Sequence, residues 1–582
     1  MELLPNIVAA QHAAVRTAIG AWIRDSHTFV RLEGNDVATW LHSQTSNDVV
    51  ALQSGEGHAN TILDRKGRLQ AHFTVHRWED EYWMIVERQQ AARLIEQLDA
   101  HLFIEDVRMA DAGDEVEQIM IQGPRTLPFL MGLIEPTSII ATDHLPCTPY
   151  GCTPVELLGH QVLAFQLTET GEDGYLLVTQ NGEARTLLDA LLEAGASQGI
   201  LEIDEAARET LRIEAGIPRF GIDMDTTNRL PETTLERVAV SYEKGCYLGQ
   251  EVIAKLRTYS SVKQALVGLV AESSDMEFPA HDARLMLDGT EIGVLKSATF
   301  SPTLGSPIAL AYIDRDHRAP DTILHLNAGA TGPTFAARVV VLPFYAAESR
   351  EDRARRMYEQ ALTQFERDTN DVDTAAINLL REALLLDPRF EDAYEALGVI
   401  LNRHHRVDEA ISVMLSLARL NPDSVMAHTN LSVFYVAKGM INEAEDEKAK
   451  AAVLQMKHAR SARDAEDMAA QERERIRQEA LERIEMFAEV LEIDPEDPLA
   501  TYGTGMAYVQ LNEYERAIPF LTRATQLQKD YSVAFLNLGK CYEFLNDFEN
   551  ARTAYKTGIE SASRKGDLMP LREMERRLKG LG

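Results

Sequence analysis

In the stretch KGCYLGQE, from Lys244 to Glu251, a cysteine stands two residues after a lysine and between two glycines, Gly245 and Gly249, with Gln250 close behind. A thiol reacts as its thiolate, and a nearby ammonium or the N-terminal end of a helix lowers its pKa. The spacing therefore marks Cys246 as a candidate nucleophile or transient metal ligand and Lys244 as its activating group, with the glycines giving a tight backbone that exposes the sulfur. The competing reading makes Cys246 a small buried residue in a strained turn and Lys244 a solvated lysine, because free cysteine is usually buried and inert. Elsewhere, Cys147 and Cys152 lack a second pair or a histidine cluster to complete four ligands, so no metal site is expected there.

The elements that must hold these residues change character near Pro343. Before it, apolar runs such as EYWMIVE, QVLAFQLTE and GYLLVTQ alternate with glycine-rich turns and helical stretches such as QAARLIEQLDAHL, the pattern of mixed α and β domains. QEVIAKLR, after Gly249, reads as a helix or a strand. From Lys263 to Tyr345 strand-like runs follow at short intervals, as in a small barrel or sandwich. After Pro343 helix takes over and repeats: Ala376, Ala410 and Ala444 are 34 residues apart, as are Pro388 and Pro422, and Gly505 and Gly539. This is the period of the tetratricopeptide repeat, in which small residues let two helices approach and prolines end the second. The reading is of α+β domains over residues 1–260, a small β-barrel over 261–346, and an all-α solenoid of about six repeats over 347–582 with a long charged helix near 445–490.

Composition narrows the function classes. The net charge of -33 works against nucleic-acid binding, which draws on a surplus of Lys and Arg. Four scattered cysteines suit a reducing compartment, and no stretch approaches the roughly 18 apolar residues of a membrane span. The expectation is a cytoplasmic protein with no direct nucleic-acid or membrane contact. The concave face of a repeat solenoid usually holds a segment of a partner protein, so docking is expected there.

KGCYLGQE resembles the signature of the YgfZ family of folate-binding proteins, which are related to the aminomethyltransferase, or T protein, of glycine cleavage. LRIEAGIPRFGIDMD (Leu211–Asp225), FVRLEGNDVATWLHSQTSNDV (Phe29–Val49), LDRKGRLQA and VLPFY also match these families, so the resemblance spans roughly residues 20–345. It implies tetrahydrofolate or a derivative as cofactor, bound through His72, Tyr175, Arg212, Asp223 and Gln250, with Cys246 and Lys244 as the catalytic pair. Arg212 suits paired recognition of a carboxylate or ring edge; alternatively it forms an internal ion pair with Glu214 or Asp223. Two transferase carboxylates are replaced: His72 falls where the transferase has an aspartate beside the reactive folate nitrogen, and Leu176 where a glutamate anchors the pterin. The resemblance thus implies folate-dependent support of iron–sulfur cluster assembly or repair, including enzymes that modify tRNA, with iron–sulfur pathway proteins as possible partners. The alternatives are a tetrahydrofolate-dependent aminomethyltransferase and a non-catalytic adaptor.

Overall fold

Leu69, Ala71, Phe73 and Val75 alternate with Gln70, His72 and Thr74, and in the strand Leu69–Trp78 the first set is buried while the second is half-buried on the other face. That alternation is the signature of a strand with one face on a core. The strand belongs to a sheet of order Gly57–Leu63, Leu69–Trp78, Glu81–Glu87, His27–Glu33, Arg108–Asp111. The computed structural model describes residues 3–134, 145–259, 262–328, 334–365, 370–565 and 567–581. By its contacts the chain divides into two units, Met1–Pro422 with Met426–Ala444, and Asp423–Val425 with Glu445–Gly582.

In the first unit a second sheet runs Ile200–Glu202, Ile19–Ile23, Val116–Gln122, Gly174–Gln180, His160–Gln166, Cys152–Leu157, antiparallel except where Ile19–Ile23 meets Ile200–Glu202. Trp22, Phe29, Ile85, Phe165 and Leu176, drawn from strands of both sheets, share one apolar cluster. The helix Glu205–Glu214 starts where the Asp204 side chain accepts from the Ala207 amide at 3.0 Å, an N-cap that satisfies one orphan donor. Among the described residues, six strands between Gln264 and Val340 close a barrel. The barrel is tied to the helix and to the N-terminal helix Leu3–Thr17 through Glu214. That carboxylate is wholly buried and takes His12 and Arg16, each at 2.8 Å, with the Ser301 and Thr303 hydroxyls of the barrel. Burial opposes its ionisation, but the hydrogen bonds from His12, Ser301 and Arg16 hold its carboxyl down at about 2.

The first helical pair, Arg350–Phe365 and Asn370–Leu386, packs into the same unit. Ala354, Ala383 and Leu386 join the core that contains Leu127, Phe129, Tyr175 and Leu187, and Arg350 and Arg353 reach the Asp173 carboxylate at 2.8 and 2.7 Å. Repeat helices Glu391–Arg403, Val407–Leu420 and Val425–Lys438 follow, with Ala376, Ala410 and Ala444 buried one period apart. A 53-residue helix, Ile441–Ile493, begins in the first unit and continues as part of the second.

The second unit pairs Pro498–Gln510 with Tyr514–Leu527 and Ser532–Phe544 with Phe548–Lys565, closed by Leu568–Gly580. Gly539 shows why the repeat needs a small residue: a Cβ there would come within 2.2 Å of the Tyr555 ring. The fold is therefore the mixed α/β region, barrel and helical repeats that the sequence predicts.

Candidate functional site

The half-buried faces of Leu69–Trp78 and Glu81–Glu87, together with Trp22, the helix Glu205–Glu214, the chain from Ala215 to Phe220 and the Leu342–Pro343 segment, enclose a cavity of about 440 Å³. That volume lies within the range of small-molecule sites. Its walls combine Trp22, Ile85, Tyr150, Leu167, Phe220 and Leu342 with a polar set that includes Arg24, His27, His72, Glu87, Glu169, Arg208, Glu209, Arg212 and Arg219. A flat ring could lie against the first set while the second takes its polar edges.

Most of the polar set is already engaged. Arg212 donates to Asp223 at 2.7 Å, to the Ile217 carbonyl at 2.6 Å, to Ser297 at 2.9 Å and, through two nitrogens, to Glu209. Arg24 donates to Glu169 at 2.7 Å and to Gln118 at 3.0 Å. Arg212 thus both lines the cavity and makes the internal ion pair with Asp223, while Glu214 pairs with His12 and Arg16 instead.

Some groups remain open. Trp22 Nε1 and Arg208 Nε are buried without a hydrogen-bond partner among the described residues, and the Arg208 guanidinium lies 5.9 Å from the Trp22 ring. Buried donors without partners are uncommon. Burial pushes His72 down to about 4, so its imidazole is neutral near pH 7. Burial, then Arg24 and Arg219, likewise push His27 well below the usual range. Burial pushes Glu87 the other way, raising its carboxyl although Arg219, Arg24 and Gln90 favour the ionised form.

The cysteine segment lies apart from this wall. Cys246 is exposed, in a loop. Lys244 is not solvated: it is 7% exposed, and its ammonium donates to the carbonyls of His42, Thr45 and Asn47, the last two at 2.7 and 3.0 Å. Burial pulls its pKa down to about 8. Lys244 thereby straps its loop to the segment that follows the helix Val37–Gln44. Gly249 has φ +85°, and a Cβ there would meet the Asp64 carbonyl at 2.6 Å, so this glycine lets the segment settle on the Asp64–Gly67 turn. Gln250 then begins the helix Gln250–Tyr259.

Of the residues singled out from sequence, His72 and Arg212 come together on the cavity, whereas Cys246, Lys244, Tyr175, Asp223 and Gln250 are not part of its lining. Asp223 supports Arg212 from behind, and Tyr175 is fully buried, its hydroxyl donating to the Pro146 carbonyl at 3.2 Å. Among the lining residues that sequence reasoning missed are Trp22, Arg24, Glu87, Tyr150, Glu169, Arg208, Glu209, Arg219 and Phe220. Leu176 sits wholly buried in the apolar cluster that also holds Trp22 and Phe165.

Residues 2–244 match the GCVT N-terminal domain and residues 264–346 the glycine cleavage T-protein C-terminal barrel domain. Residues 374–425, 477–532 and 533–564 match tetratricopeptide repeats. The aminomethyltransferase of Saccharopolyspora erythraea is 30% identical over 339 residues, 58% of this chain and 89% of that protein. The one from Chloroherpeton thalassium is 28% identical over 58% of this chain and 90% of its own length. In fold, the crystal structure of the glycine cleavage system aminomethyltransferase T from Bartonella henselae superposes with a TM-score of 0.51, at 22% identity, over 58% of this chain and 89% of that one. These relations bear on the aminomethyltransferase side of the resemblance, and the YgfZ side rests on the cysteine segment. With matching N-terminal and barrel domains and a relative aligned over nearly its whole length, this chain belongs to the glycine cleavage T-protein family.

Proposed function

We propose that the chain binds a reduced folate in the 440 Å³ cavity and acts on the one-carbon unit that the folate carries, while the helical repeats dock a protein partner. The observation that carries this reading is an aromatic-walled cavity with polar side chains along it, His72, Arg208 and Arg212 among them, in a chain 30% identical to an aminomethyltransferase. A bound tetrahydrofolate would supply a nitrogen nucleophile. Trp22, Tyr150 and Phe220 would flank its ring, Arg208 would meet an acceptor or carboxylate, and neutral His72 would accept or donate one hydrogen bond without adding charge. Tetrahydrofolate titrated calorimetrically into the full-length chain should give saturable heat and raise the melting temperature. No heat and no thermal shift at millimolar ligand would overturn the proposal.

Within this reading, aminomethyl transfer is supported by the relatives. A second reading, folate-dependent support of iron–sulfur enzymes, is favoured by three features: exposed Cys246, and His72 and Leu176 in place of two carboxylates. Formation of methylenetetrahydrofolate from an aminomethyl-lipoyl carrier at a rate comparable to that of an authentic T protein would establish the first. Failure there, with Cys246→Ser folding and binding folate yet failing to restore iron–sulfur enzyme activity in a host lacking its own family member, would establish the second.

A further inference from the structure

Five carboxylates line the cavity, and they are not equivalent. Asp25 and Glu205 are exposed. Glu169 holds Arg24 on one oxygen, Oε1, which two guanidinium nitrogens reach at 2.7 and 2.6 Å. Glu209 is clamped by Arg212 through both oxygens and approached by Arg219 at 3.5 Å. Each of these two carboxylates is thus already hydrogen-bonded to a guanidinium, and the Glu209 pair is bidentate. Glu87 differs from all four. Its side chain is 16% exposed, and the Arg219 Nε lies 3.8 Å away, beyond hydrogen-bond distance.

The sheet explains why the carboxylate is there. Thr74 pairs with Ile85 across the two strands. Two residues farther along each strand stand His72 and Glu87, both on the cavity wall. On the other side Glu87 pairs with His27. The charged and titratable groups around Glu87 are therefore Arg219 and Arg24, the neighbouring Glu169, and the histidines His27 and His72, both neutral near pH 7. Gln90, on the helix that follows the strand, adds a side-chain hydrogen bond.

We infer that Glu87 is the ligand-contacting carboxylate of the cavity and that it accepts hydrogen bonds from ring or amine N–H groups of the bound reduced folate. A carboxylate that is buried and only loosely paired is costly until a donor reaches it, so it favours ligands that bring N–H groups over isosteres that lack them. Binding shifts the group toward its ionised form. Where the free protein holds a proton on Glu87, that proton passes to solvent as the N–H donor arrives. This inference rests on the folate reading above.

The test is calorimetry of the full-length chain with tetrahydrofolate at mildly acidic pH, in two buffers of different ionisation enthalpy. The wild type should release protons on binding, seen as a heat that depends on the buffer. Glu87→Gln should weaken binding about 10- to 100-fold, the loss of a charge-assisted hydrogen bond, and abolish the proton release. Glu87→Asp should keep the proton release at reduced affinity, and it decides the matter if the glutamine variant fails to fold. Wild-type affinity and unchanged proton release in a folded Glu87→Gln would overturn the inference and leave the folate reading intact. Absence of any binding by the wild type would overturn both.

Discussion

Two glutamates, Glu214 and Glu87, lie inside the same unit and carry opposite fates. Glu214 is surrounded by His12, Arg16, Ser301 and Thr303, with every approach filled by protein, and its carboxyl is held at about 2. Glu87 faces a cavity, keeps Arg219 at 3.8 Å, and has its carboxyl raised by burial. The difference teaches how to tell a strut from a site. A buried charge whose hydrogen-bonding capacity is saturated holds elements together, whereas one left underfilled at a cavity wall awaits something from outside.

The comparison breaks most sharply at Glu214. Glu214→Ala leaves Arg16 without one buried partner and frees the barrel hydroxyls, and should cost about 3–5 kcal/mol in chemical denaturation. The two glutamates should also respond to acid in opposite directions. A carboxyl depressed on folding contributes stability that is present above the ordinary value of 4.5 and is lost as pH falls toward about 2, so Glu214→Gln should flatten the acid limb of the stability profile. A carboxyl raised on folding has the reverse sign, and stability falls as pH climbs from 4.5 through its raised value. Glu87→Gln should accordingly remove that decline.

Lys244 offers an intermediate case, its ammonium bonded to three carbonyls while the Asp48 carboxylate acts on it only through its charge. Lys244→Met should cost about 1–3 kcal/mol, because the carbonyls lose a charged donor while a buried charge is relieved. A melting temperature identical to wild type would show that the strap is slack. The smallest effect belongs to Glu87→Gln at neutral pH, within about 1 kcal/mol of wild type and on the stabilising side, since it removes a poorly compensated buried charge. A large destabilisation there would turn Glu87 into a second strut and erase the distinction.

The sequence makes periodic features plain and leaves tertiary ones obscure. Ala376, Ala410 and Ala444 announce the repeat by spacing alone, and each is buried in the fold. His72 and Arg212 are legible through the family resemblance, and the strand Leu69–Trp78 and the helix Glu205–Glu214 carry them to the same cavity. Glu87 closes a run, EYWMIVE, that reads as an ordinary buried strand; only the pairing with neighbouring strands brings its end to a cavity. Lys244 reads as the activating group of a thiol, or else as a solvated lysine, because nothing local reveals that residues about 200 positions earlier supply its three carbonyls. Long-range partners of this kind leave no periodic trace.

The first helical pair has a practical consequence for anyone shortening the gene. Ala354, Ala383 and Leu386 fill the same core as Phe129 and Leu187, while Arg353 grips Asp173 and the Pro124 carbonyl. A stop codon placed where the barrel ends would peel away an apolar wall and strand Asp173 without its two arginines. The shortest well-behaved product of such a dissection should run through Leu386, and the pair should melt together with the α/β core in a single cooperative step rather than fray with the rest of the arm.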